Sequence, residues 1–188
     1  MKILPEFRLG IGNGWIPLGL YFLALILSIL PYSQEARIWL FQNPVNRGQK
    51  SLLFIRRLGQ FSMMAYILMM IFTPLNFHLF AFLLGALIFF SGLFLEISAL
   101  RSFRKAPVDQ PVVAGPYRVS RNPQWVGLFL VLLGSAIASG VWLYIMMVLG
   151  VGIIYHIQIL DEEALCLQKF GESYRSYMKQ IPRYFMLF

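Results

Sequence analysis

The chain has 188 residues, of which 59% are hydrophobic and 13% charged, against roughly 45–50% and 25% in soluble globular domains. That composition excludes an ordinary water-soluble domain and points to a bilayer as the solvent. The formal charge of +8 does not signal nucleic acid, because the Lys and Arg residues sit in clusters between apolar blocks rather than in one aromatic-interleaved run.

The first apolar block, 15–30, starts after Gly14 and ends at Pro31, and reads as a short first span rather than a cleaved leader, since no small-x-small site follows it. Ahead of it, Gly10, Gly12 and Gly14 resemble a nucleotide-binding glycine turn, but no strand precedes them, so they read as a flexible lead into the span. Residues 32–57 mix Arg37, Arg47, Lys50, Arg56 and Arg57 with Trp39 and Phe41, as suits a segment lying in the headgroup layer. Blocks 58–73 and 79–100 read as the second and third spans, joined by a tight turn at residues 74–78. Near the end of the third, Glu96 is an acid at membrane depth; it either lines a site or pairs with Arg101.

Apolar character resumes at Trp125 and runs to Leu160, long enough for a hairpin of two spans broken near Ser139 and Gly140. Gly127, Gly134, Ala138, Gly150 and Gly152 would let its arms pack closely. Residues 161–180 then place Leu165, Phe170, Tyr174 and Tyr177 at helical spacing, which predicts an amphipathic surface helix. The expectation is an all-α integral membrane protein, a single membrane domain over 1–188 with about five transmembrane helices, a C-terminal helical hairpin and an amphipathic cytosolic helix. Fourteen of the sixteen Lys and Arg residues fall on one side of that topology, which makes the C-terminus cytosolic. Cys166 has no partner for an intrachain disulfide, and His78 and His156 lack neighbours at ligand spacing, so no metal site is expected.

Most of the chemistry concentrates in GPYRVSRNPQWVG at 115–127 and, beyond the hairpin, Glu162 and Glu163 followed by FGESYRSYMKQIPR at 170–183. Asn122 fits an N-cap with Pro123 in the first helical position. The free N–H groups and positive dipole end would face an anionic ligand group, with Arg118 and Arg121 adding charge and Gly127 leaving room for approach. Glu162 and Glu163 return to the same membrane face, where acids accept from an amine or hydroxyl and favour a cationic sulfonium.

The order R-N-P-x-W-x-G, apolar hairpin, E-E, F-G-x-x-Y-x-x-Y resembles the signature of the isoprenylcysteine carboxyl methyltransferase and phospholipid methyltransferase families over residues 85–184. The resemblance implies an S-adenosylmethionine-dependent methyltransferase of bacterial type in the inner membrane. It implies that Arg121, Asn122, Pro123, Trp125, Gly127, Glu162 and Glu163 bind the cofactor, with Tyr117 nearby. Asn122 stands where the family usually has His, and Trp125 where it has Tyr; Asn keeps a donor and an acceptor but does not titrate. The implied acceptor is lipophilic or small, a carboxyl, amine or thiol reached from membrane lipid, with Glu96 or Arg101 on its side and residues 1–80 free to select it. Two other readings stay open: an NADPH-dependent reductase of sterol-reductase-like architecture, with Arg118 and Arg175 toward the 2′-phosphate, and a non-catalytic membrane protein of the same fold.

Overall fold

A computed structural model gives the architecture and describes residues 2–41, 50–107 and 109–185. Among these there are seven α-helices: α1 (Trp15–Ile29), α2 (Gln34–Phe41), α3 (Lys50–Phe72), α4 (Leu79–Lys105), α5 (Pro123–Ser139), α6 (Trp142–Phe170) and α7 (Glu172–Gln180). A 3₁₀ turn, Gly115–Arg118, stands before α5. The chain is all-α, as its apolar blocks predict.

Two described helices, α4 and α6, are long and apolar enough to cross a membrane. At 15 and 17 residues, α1 and α5 reach only about 22 and 26 Å at 1.5 Å per residue, short of a hydrocarbon core of about 30 Å. Outward-facing apolar side chains agree with a lipid surround: Leu87 and Phe94 on α4, Ile153 on α6 and Phe61 on α3 are each 66% exposed or more.

Several expectations change. The segment at 32–57 is not one surface stretch: α2 occupies part of it, and α3 begins at Lys50, so Arg56 and Arg57 lie inside a helix; positions 42–49, with Arg47, are outside the described residues. Straight-chain Lys, Leu and Arg favour helix enough to carry α3 past the point where its apolar run ends. At the other end, 161–180 is not one separate helix. α6 continues unbroken through Asp161 to Phe170, stops at Gly171 (φ 56°), and α7 follows. Tyr174 and Tyr177 of α7 are buried, as their spacing predicts.

The lead into α1 is not a flexible one. The Gly14 N–H donates to the Thr73 carbonyl at 2.9 Å and the Leu75 N–H to the Gly12 carbonyl at 2.9 Å, while Asn13 is 2% exposed. A Cβ on Gly14 would stand 2.4 Å from the Met70 carbonyl oxygen, so glycine there permits close approach rather than motion.

The small residues serve a different pairing from the expected one. Gly127 and Gly134 of α5 face Gly92 and Gly85 of α4, where a Cβ on Gly134 would meet the Phe89 nitrogen at 2.4 Å. Backbone contact of this kind is how membrane helices gain dispersion energy without a hydrophobic drive. Gly152 does contact α5, through Phe129, whereas Gly150 faces open space. On the other flank of α5 the core gathers Leu18, Tyr66, Met70, Leu132, Tyr144 and Val148 from α1, α3, α5 and α6, and the Tyr66 hydroxyl is satisfied by the Leu132 carbonyl at 2.8 Å.

Candidate functional site

At the end of the bundle where α4 stops, the chain turns back through an extended Ala106, forms the 3₁₀ turn and enters α5 at Pro123. The fixed φ of proline and its missing N–H suit a first helical position. Asn122 holds the N-cap position, but its side chain does not cap: Nδ2 donates across to Glu163 Oε1 at 2.8 Å.

Glu163 is 4% exposed and gathers three donor side chains. Oε1 accepts from Arg121 Nε at 3.1 Å and from Asn122, and Oε2 accepts from Arg183 Nε at 3.1 Å and Nη2 at 2.9 Å. Arg121 Nη1 donates to the Met178 and Ile181 carbonyls at 2.7 and 2.8 Å. The Arg121 N–H reaches the Pro182 carbonyl and the Ser120 hydroxyl reaches the Arg183 carbonyl. One buried carboxylate therefore ties the start of α5, the end of α6 and the segment after α7 into a clasp. Arg121 is not the free positive charge that its position suggests, because Glu163 neutralises it.

Beside the clasp lies a cleft of about 140 Å³ whose lining includes Phe103, Tyr117, Arg121, Asn122, Gln124, Trp125, Glu162, Glu163, Cys166, Phe170 and Tyr174. Trp125 forms one wall: its Nε1 donates to Glu162 Oε2 at 3.0 Å, and its ring lies 4.7 Å from that of Tyr155. Gln124 Nε2 is enclosed and without a partner among the described residues. The Tyr177 hydroxyl donates to the Tyr117 carbonyl at 2.6 Å, locking α7 to the 3₁₀ turn. Burial pushes the Tyr117, Tyr174 and Tyr177 hydroxyls well above the usual phenol range, so they stay neutral hydrogen-bonding groups.

Tyr117, Arg121, Asn122, Trp125, Glu162 and Glu163 thus come together at one cleft. Pro123 shapes it through the helix start. Gly127 does not open it to a ligand: a Cβ there would meet Glu96 Cβ at 2.7 Å, so its smallness serves α4. Glu96 and Arg101 are not among the residues that line it. Glu96 accepts from the Tyr21 hydroxyl at 3.0 Å instead of pairing with Arg101, which is exposed. Arg118 and Arg175 are also exposed and do not line the cleft, and Arg175 pairs with Glu172 at 2.7 Å.

Gln124, Phe103, Cys166 and Arg183 went unmarked by sequence reasoning. Gln124 was findable, since it follows Asn122 and Pro123 at the helix start; Arg183 lies twenty residues beyond its partner Glu163, past the end of α7, and left no local signal.

No curated protein matches the chain. The family model described as phospholipid methyltransferase matches residues 61–173, more than half of the chain, a range that takes in the α4–α5 pair, both glutamates and the cleft lining except its α7 tyrosines. With α4 and α6 apolar enough to cross a membrane, the chain belongs to the phospholipid methyltransferase family and is a membrane methyltransferase.

Proposed function

We propose that the cleft between α4, α5, α6 and α7 holds S-adenosylmethionine and that the protein transfers its methyl group to a lipophilic or small acceptor, a carboxyl, amine or thiol. The observation that carries this reading is the meeting of the α5 N-terminus, the unpartnered Gln124 amide and the Glu162 carboxylate in one aromatic-walled cleft.

Each part fits one part of the donor. The α5 dipole end and Gln124 Nε2 suit a carboxylate. Glu162, anchored by Trp125, suits an ammonium, a ribose hydroxyl and a nearby positive sulfur. Phe103, Trp125 and Phe170 supply ring faces and apolar edges for a base. When bound, the sulfonium supplies an already activated methyl group, so the chain's task is to align the nucleophile and keep water out. Arg121, Asn122, Arg183 and Glu163 hold the frame rigid, as precise alignment requires.

The basic distribution favours five segments in an inner membrane, the short α1 and α5 being accommodated by local thinning of the bilayer, with the cleft and C-terminus in the cytosol beside the soluble donor pool. The test is transfer from methyl-tritiated S-adenosylmethionine to a total membrane-lipid extract, by the protein in lipid nanodiscs. Label in the lipid fraction that disappears with Glu162→Ala supports the reading, and its chromatographic position identifies the acceptor class. A folded protein that labels neither lipid nor small acceptors sinks it.

A further inference from the structure

α3 and α6 meet where the apolar stretch of α6 gives way to Asp161, Glu162 and Glu163. Arg56 of α3 is buried there, 9% exposed, and its Nη2 donates to Asp161 Oδ2 at 3.1 Å. Its other terminal nitrogen, Nη1, is enclosed and has no partner among the described residues. One turn along each helix, Gln158 holds a second enclosed donor, Nε2, also without a partner. Gly59 makes room for that amide: a Cβ there would stand 3.0 Å from Gln158 Nε2 and 2.9 Å from Ile154 Cγ2.

Two donors on facing turns, with no acceptor, are an incomplete arrangement. A guanidinium N–H removed from water is strongly unfavourable unless something accepts from it. Exposed Phe54 and Leu58 of α3 and exposed Leu160 of α6 flank the seam, an apolar surround that suits lipid. The end of an apolar span is the depth at which lipids carry phosphodiesters, and an oxyanion is the acceptor a planar guanidinium binds best.

Local charge is balanced. Arg56 and the exposed Arg57 stand against Asp161 and Glu162, and the Arg56 charge also acts on Glu162 in the cleft lining. An anion at the seam is therefore held by its hydrogen bonds rather than by net charge, which makes it sensitive to single donors. We propose that Arg56 and Gln158 form a phosphate site at the α3–α6 seam, filled by the headgroup phosphodiester of a membrane phospholipid. Neither Arg56 nor Gln158 lines the donor cleft, and the site stands or falls independently of the proposed cofactor.

Native mass spectrometry of the full-length protein, released from detergent with added lipid, tests it. The probes are dioleoyl phosphatidylglycerol, dioleoylglycerol with the same chains and no phosphate, and inorganic phosphate. The phospholipid should bind about tenfold or more tighter than dioleoylglycerol, the span of one charge-assisted hydrogen bond. Arg56→Lys keeps a cation for Asp161 but deletes the second planar arm, and Gln158→Leu leaves the ion pair intact; each should weaken phospholipid retention by about tenfold. Equal retention of dioleoylglycerol, or a folded Gln158→Leu variant that binds as the wild type does, overturns the site. Inorganic phosphate binding as tightly as the lipid would make the occupant a free anion and overturn the headgroup assignment.

Discussion

Replacing Glu163 by glutamine separates the frame of the cleft from its ligand-facing acid. Glu163 accepts from Arg121, Asn122 and Arg183 at 2.8 to 3.4 Å, with its own side chain and that of Arg121 each only 4% exposed. The amide keeps the shape and one acceptor oxygen but removes the charge and turns an NH₂ toward a buried guanidinium. Breaking a buried ion pair by removing one partner costs about 3–5 kcal/mol. Arg183 is 21% exposed and recovers water, and Arg121 keeps two carbonyl partners, so the lower end applies, about 3 kcal/mol. For a chain of this size 1 kcal/mol moves Tm by about 2–4 °C, giving a fall of about 6–12 °C. Glu162→Gln, which still accepts from Trp125 Nε1, should shift Tm by no more than about 2 °C while weakening donor binding. A thermal ramp in detergent followed by intrinsic fluorescence reads both. Equal shifts for the two variants, or Glu163→Gln melting with the wild type, would refute the division of roles.

Trp125→Phe keeps a ring against Tyr155 but deletes the donor to Glu162, so S-adenosylmethionine affinity should fall about tenfold in calorimetry, and Trp125→Leu should lower it further. Gly134→Ala forces a Cβ against the Phe89 backbone and should cost about 1–3 kcal/mol in the melting assay, whereas Gly150→Ala, facing open space, should be neutral or slightly stabilising. Tyr21→Phe leaves the Glu96 carboxylate without its hydroxyl and should destabilise by about 1–3 kcal/mol. Because Glu96 does not line the cleft, Glu96→Gln should leave the donor's Kd within about twofold of wild type, below the loss of one hydrogen bond.

The helices were legible because lipid-facing blocks are long and uniform, and the starts at Pro123 and Leu79 and the break at Gly140 follow from local chemistry. The start of α3 was not, since Arg56 and Arg57 look like a loop cluster until Asp161, more than a hundred positions away, supplies a partner. In the same way the glycines of α5 announce close packing without naming α4 as the neighbour. At the site, local reasoning put Glu162 at the same end of the bundle as Asn122 and the resemblance added Trp125, and the structure brings the three to one cleft. It said nothing of Arg183, and it left open whether Arg121 and Glu163 face a ligand or each other, which only the tertiary approach of α5 to α6 decides.

Calorimetric titration of the detergent-purified protein with S-adenosylmethionine, and separately with NADPH, tests the central claim most directly, with Glu162→Ala as the paired variant. The expected result is micromolar-range binding of S-adenosylmethionine, lost in a variant that melts close to the wild type, and no binding of NADPH. A folded protein that binds neither, or a variant that binds S-adenosylmethionine as tightly as the wild type, would contradict the assignment of the cleft; binding of NADPH alone would turn the reading to a reductase.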